Sequence, residues 1–443
     1  MRMSPTSPRT MNKPRWRASA VAAVLLLALV SPAAPNASAH VRGHHQHSAA
    51  SVLSWNETAS AAYTTSKFSP PVFAVGMAYV QAAVYNAVVG IEGGFDQYKW
   101  HARAHRGASV DAAVAAAAHS TLLTYVVDPV ALANVEAAYI TALGAIPDGR
   151  SKAAGIRFGE HAAAHIVKLR TGDGWMDPSV VFSEPAAPGI WRPTVAGGAY
   201  GAPWAGEMRP FLLRRHDQFR PSGPPSLTSA QYAADLNEVR EIGSASSTTR
   251  TPEQTEIAHL FGDAPNNFPA QLQWAFRDHL TRHPGGILRA ARYFAAADLS
   301  AADAVIAAWD AKFAYGSWRP ISAIQLADTD KNPATTADPT WTPLIATPQH
   351  PDYLSGHTAV TGAITSALTR LTGTSRIDLN IPWLDVVPVV RSQHYEWASQ
   401  FNVSSIGARI WAGIHTRTAD EVGNKVGSKV GAYGMQHYFA PTG

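Results

Sequence analysis

The 443-residue sequence predicts an all-α protein, and three observations carry that prediction. Alanine, valine and leucine recur at three- and four-residue spacing over long segments, as on helices packed on several sides. Charged residues make up only 15% of the chain, so those segments have little polar face. No alternating pattern is long enough to build a sheet; Val386 to Val390, broken by Pro388, comes nearest.

The first residues are read apart from the fold. Arg2, Arg9, Lys13, Arg15 and Arg17 precede an apolar run from Ala18 to Val30, and Ala37-Ser38-Ala39 supplies small residues before His40. Residues 1–39 therefore read as a secretory signal peptide, with an apolar run too short for a membrane span. Residues 40–50 read as a disordered leader in which His44, His45 and His47 could take up metal adventitiously.

Helical spacing begins at Ser51 and is clearest over Val72 to Val89, Val110 to Tyr125, Pro129 to Leu143 and Lys152 to Arg170. Alanine is the strongest helix former, and its small side chain lets helices approach closely. Met176 to Thr228, dense in Pro, Gly and Trp, predicts an irregular excursion over the surface, of the kind often tied to function. Together these make an N-terminal helical region, 51–250.

The C-terminal helical region, 251–443, opens with Pro252 and Glu253 at a helix start. Ser300 and Asp303 resemble a capping box opening a helix through Ile306, Trp309 and Phe313. Further helices are expected from about His357 to Leu371 and from Ser404 towards His415, and no fixed-period repeat is present. Asn56-Glu57-Thr58 and Asn402-Val403-Ser404 match the glycosylation acceptor pattern.

Charge and cysteine content exclude several classes. Removing the signal takes five basic residues and no acidic ones, so 36 basic against 32 acidic becomes 31 against 32. The basic excess leaves with the signal, and nucleic acid is not an expected partner. No other stretch appears apolar for long enough to cross a bilayer, so the expected mature protein is soluble and exported. The chain has no cysteine, which rules out thiol catalysis and thiolate metal sites. Ala-rich helical faces are compatible with a homodimer.

Three islands of unusual residues stand out between Trp309 and Asp420. The first holds Trp309, Lys312, Trp318 and Arg319-Pro320; the second runs from His350 to His357 through Ser355-Gly356; the third holds Arg409, His415 and Asp420. One Lys, two Arg, a Ser-Gly pair and two His are what a site needs to surround a tetrahedral oxyanion and do proton or nucleophilic chemistry on it. Lys312 and Arg319, seven apart, fall on one helix face, and Pro320 places Arg319 at a helix end. Ser355-Gly356-His357 at a helix start offers free N–H groups, close approach and an acid/base imidazole. Arg409 and His415, six apart, reach one pocket only by a long arm or if the helix ends near Gly413. Asp420 or a neighbouring carbonyl could orient the His415 ring.

The order Lys, six residues, Arg-Pro; then Ser-Gly-His; then Arg, five residues, His resembles the signature shared by vanadium-dependent haloperoxidases and the type 2 phosphatidic-acid-phosphatase superfamily of acid phosphatases. The resemblance implies a largely helical fold with two four-helix-bundle cores and a vanadate cofactor. It implies that His415 bonds the metal, or attacks phosphorus in a phosphatase. Lys312, Arg319, Ser355, Gly356 and Arg409 would hold the oxygens, with His357 as acid/base group and Trp309 in the halide pocket. The residue seven before the acid/base His is His350, where the resemblance has an aromatic residue in members that oxidise chloride and often His in those limited to bromide, so the resemblance leans towards bromide, with chloride or iodide as alternatives. Leu354 stands where the pattern has Pro, Ala408 where it has Ser, and Asp420 lies five rather than four residues beyond His415.

The expected function is thus an exported haloperoxidase that uses hydrogen peroxide, a halide and a small organic acceptor. The alternatives are an acid phosphatase with His415 as nucleophile and a helical protein that binds phosphate without turnover.

Overall fold

The computed structural model describes residues 47–262, 267–385, 388–389 and 391–442. The predicted signal peptide, His44, His45, Val386 and Val390 lie outside the described residues. The regular elements of the described chain are almost all helices, as the sequence predicts.

The N-terminal region supplies α1 (Ala50–Thr65), α2 (Pro70–Glu92), α3 (Val110–Tyr125), α4 (Pro129–Gly144) and α5 (Arg150–Arg170). Proline in the first turn starts α2 and α4, and the Ser109 and Asp128 side chains cap α3 and α4 by accepting from Ala112 and Ala131 N–H. α2 has the length and apolarity of a membrane span, contrary to expectation, but its apolar stretch is entirely buried. It is the central core helix of this half, packed by α3, α5 and the later α9.

Then follow α6 (Ala230–Ile242), α7 (Pro252–Leu260), α8 (Phe268–Arg282), α9 (Gly286–Tyr315) and α10 (Pro320–Gln325). The C-terminal part adds α11 (Gly356–Thr372), β1 (Arg376–Pro382), β2 (Ser392–Trp397), α12 (Ala398–Trp411) and α13 (Arg417–His437). The thirty-residue α9 joins the two halves, packing on α2 on one side and on α11 and α13 on the other. In α13, Gly423, Gly427 and Gly431 form a stripe at four-residue spacing. A Cβ on Gly427 would collide with the Ala359 carbonyl, so α11 and α13 lie nearly backbone to backbone.

Several expectations are corrected. Ser300 and Asp303 do not open a helix; they lie buried in the middle of α9. Asp303 instead accepts hydrogen bonds from the Phe211, Leu212 and Leu213 N–H groups at 2.6, 2.8 and 2.7 Å. That contact pins the irregular excursion onto α9, and Trp204, Met208 and Phe211 bury with it, so the segment is part of the core and not only surface. The chain does contain a small sheet, β1 and β2 paired antiparallel. α12 begins at Ala398, six residues before the expected Ser404. His47 is tied down, its carbonyl accepting from Ile287 N–H and its ring meeting Glu92. Asn56 is buried, with its amide bonded to Gln273 and Arg277, so the first glycosylation pattern has no accessible acceptor.

Candidate active site

The three islands are brought to one place by three helix ends. α9 ends at Tyr315, three residues beyond Lys312. Arg319 is the residue before α10, in extended backbone, as Pro320 requires. Ser355 is the residue before α11, so the Gly356 and His357 amides, first in the helix, have no preceding turn to bond. α12 ends at Trp411, and Gly413 turns the chain at φ +77°, a conformation that favours glycine. That turn brings His415 back beside Arg409, and Asp420 follows in the first turn of α13.

Lys312, Arg319, Ser355, Arg409, His415 and Asp420 are all buried. Lys312 Nζ donates to the Pro351 carbonyl and, at 3.0 Å, to that of Asp352. Arg319 donates from Nε to the His350 carbonyl at 2.6 Å, and its other nitrogens reach the Ile414 carbonyl, His415 Nε2 at 3.0 Å and His350 Nδ1 at 3.0 Å. Arg409 donates to the Phe261 carbonyl at 2.9 Å. Among the described residues none of these three cations is in an ion pair.

Guanidinium groups only donate, and this fixes the imidazoles. His415 Nε2 must accept from Arg319, so the proton sits on Nδ1 and is donated to Asp352 Oδ1 at 2.6 Å. Burial, with Arg319 and Lys312 alongside, pushes His415 well below the ordinary histidine value, so the ring is neutral with its Nε2 lone pair towards the site. Asp352, held also by Thr416 Oγ1 at 2.6 Å, is therefore the group that orients His415. Asp420, the sequence candidate for that role, does not bond His415. Burial pushes its carboxyl well above the usual range, against the nearby Ser355 hydroxyl and Arg409. The hydroxyl and carboxylate are close enough to influence one another but do not meet in hydrogen-bond geometry.

His357 stacks on Phe268 with ring centroids 4.0 Å apart. Burial and Arg409 push its pKa well below the ordinary value, which suits a neutral base. Trp309 donates from Nε1 to the Gly201 carbonyl at 2.9 Å and packs on His350 at 4.9 Å.

A cavity of about 500 Å³ meets this cluster. Trp309, His350, Gly356, His357, Arg409 and His415 line it, while Lys312, Arg319 and Ser355 lie behind that lining. Gly201 and Ala202 of the excursion complete one wall. The residues fit a four-oxygen anion. Ser355 Oγ, His357 Nε2 and Arg409 Nε are buried without partners, and a Cβ on Gly356 would come 2.7 Å from the Trp309 ring. Three buried cations stand near two buried carboxylates, Asp352 and Asp420, without forming an ion pair to either, and burial pushes Asp420 towards its neutral form, so positive charge is left over for an anion.

Sequence reasoning missed Asp352, although it lies within the second island. A carboxylate sixty-three positions from the ring it holds leaves no spacing signal.

Comparisons with known proteins agree with this architecture. Residues 292–441 match the profile of the VCPO second helical-bundle domain. The chain is 23% identical over 283 residues to a vanadium chloroperoxidase from Curvularia inaequalis, a match covering 49% of this chain and 46% of that protein, so it spans about half the length of that curated relative. The crystal structure of a bacterial vanadium-dependent iodoperoxidase is similar with a TM-score of 0.76 at 22% identity, over 89% of this chain and 98% of that one. That of a holo-type bacterial vanadium-dependent chloroperoxidase is similar with a TM-score of 0.67 at 18% identity, over 84% and 92%. The chain therefore has the fold of the solved vanadium haloperoxidases, with the match to the family's second helical-bundle domain falling on residues 292–441, the part that carries the site.

Proposed function

We propose that this chain is an exported vanadium-dependent haloperoxidase that oxidises bromide with hydrogen peroxide and passes the halogen to an organic acceptor. The observation that carries the reading is the set of three buried cations without ion pairs, Arg409 lining one cavity and Lys312 and Arg319 behind its wall, beside two histidines held neutral by burial. Lys312, Arg319, Arg409, Ser355 and the Gly356 amide would hold the oxygens of vanadate, and His415 Nε2 would bond the metal. When bound, vanadate supplies Lewis acidity that polarises peroxide.

The protein's own part is positional. Asp352 and Arg319 together hold His415 in the Nδ1–H tautomer, one accepting from Nδ1 and the other donating to Nε2, so that the Nε2 lone pair is kept on the site side. His357, with a free Nε2 and a depressed pKa, takes a proton from the incoming peroxide and can return it to a leaving oxygen. Trp309 and Phe268 exclude water from one side of that exchange. His350, to which Arg319 donates and which packs on Trp309, lines the cavity seven residues before His357, and its identity there is what favours bromide in this reading.

The test is bromination of a phenol dye. It should require added vanadate and peroxide, and phosphate should compete with the vanadate. Hydrolysis of an aryl phosphate without bromination would instead favour the phosphatase reading, with His415 as nucleophile.

A further inference from the structure

The cavity extends well beyond the cluster of cations, and its far end carries a buried acid that the proposed chemistry does not use. Asp298, Ala301, Val305 and Trp309 line the cavity at spacings of three, four and four along α9. Eleven residues of helix separate the first from the last, a span of about 16 Å. Ala74, Leu272 and Ile364 make the intervening wall apolar.

Asp298 is 2% exposed, and the orientation of its carboxyl is dictated from a distance. Arg277 can only donate, so Asn56 turns its Oδ1 to Arg277 at 2.7 Å and its Nδ2 to Gln273 Oε1 at 2.7 Å. Gln273 must then turn its Nε2 to Asp298 Oδ1, at 2.6 Å. Oδ1 is thereby occupied, and Oδ2 is buried without a partner. A polar relay that satisfies each of its members except the last, at the wall of an apolar cavity, is built for a ligand to complete.

We propose that this cavity binds an elongated apolar acceptor whose O–H or N–H group, remote from the end beside His357, donates to Asp298 Oδ2. The inference rests on the haloperoxidase reading and names the substrate class for it. Burial pushes Asp298 up to about 7, so at pH 8 it is largely ionised and accepts from either kind of donor.

The experiment is calorimetric binding at pH 8 to the full-length protein without vanadate, peroxide or halide. The probes are 6-phenylhexan-1-ol, 6-phenylhexylamine and the methyl ether of the alcohol. The alcohol or the amine should bind roughly tenfold more tightly than the ether, the worth of one hydrogen bond to a charged group. Asp298→Leu should abolish that preference. Equal binding of all three probes, or a preference that survives in Asp298→Leu, overturns the inference. Ala301→Phe plugs the cavity halfway and should weaken the long alcohol at least as much, so wild-type binding by that variant overturns it too. Bromination without the donor preference sinks this inference alone. Donor preference without bromination sinks the haloperoxidase reading and, with it, the assignment of the bound molecule as a halogen acceptor.

Discussion

Removing the Asp352 carboxylate should weaken vanadate binding by about 10- to 100-fold, because His415 loses the partner that anchors its Nδ1–H and orients its ring. The side chains are 2% and 5% exposed, and the Nδ1–Oδ1 separation is 2.6 Å, so the bond is charge-assisted and shielded from water. Such bonds contribute about 1.5–3 kcal/mol, which corresponds to the same range of affinity. Two effects compete in Asp352→Ala. Deleting a negative charge beside Arg319 and Lys312 by itself favours an anion, whereas a freed ring can turn away from Arg319, after which Nε2 can take the proton and lose its lone pair. Orientation should win, since a protonated Nε2 cannot bond a metal at all. Asp352→Asn keeps an acceptor for His415 but replaces the oxygen to which the Thr416 hydroxyl donates with a donor, so that hydroxyl must turn to accept, and the variant should lose about tenfold. Asp420→Ala should lose less than Asp352→Ala, because Asp420 does not bond the ring. Equilibrium dialysis against vanadate, without peroxide, measures all three. Unchanged or tighter binding by Asp352→Ala would show that charge rather than orientation governs the site, and the assignment of Asp352 would be refuted.

Three further outcomes are expected. His357→Ala should slow bromination by about 10²- to 10⁴-fold in steady-state assays while vanadate is retained, whereas His415→Ala should lose both; loss of vanadate from His357→Ala would contradict an acid/base role. Gly427→Ala forces α11 and α13 apart and should destabilise the protein by about 1–3 kcal/mol in thermal denaturation, while Gly144→Ala, which meets nothing within 4 Å, should stay within about 0.5 kcal/mol. Asp298 has its pKa raised from an ordinary 3.8 to about 7, so the native state holds a proton that the unfolded chain releases. The stability it contributes is full below about pH 4 and is lost as pH rises through 7, on the order of 4 kcal/mol in all. Asp298→Asn should flatten that part of the stability profile, and identical wild-type and variant profiles between pH 4 and 8 would contradict the burial argument.

Much of this arrangement was legible in the sequence, for identifiable reasons. Helices such as α3 carry their own spacing and a capping residue, and read out to the residue. Arg319 and Ser355 were placed at helix boundaries by Pro320 and by the Ser-Gly pair, both local rules. What could not be read depends on distant partners. Ser300 and Asp303 look like a capping box, yet Asp303 serves three amides ninety positions away, in a segment with no period of its own. β1 does alternate, with Ile377, Leu379 and Ile381 buried between Arg376, Asp378 and Asn380, but the run is short and its partner β2, Ser392–Trp397, buries only Tyr395, so no second strand announced itself. The glycines of α13 signal close packing only once α11 is known to lie against them. Asp352 falls in the same class, being a partner chosen by the fold and not by its neighbours in sequence.

The central claim is that side chains drawn from three separate stretches form one receptor for a four-oxygen anion. Vanadate titration of the purified protein, read by metal analysis after dialysis, measures it directly. The account predicts one vanadium per chain, displaced by phosphate and absent from Arg409→Ala and His415→Ala. Non-saturable uptake, or retention that neither substitution disturbs, would contradict it.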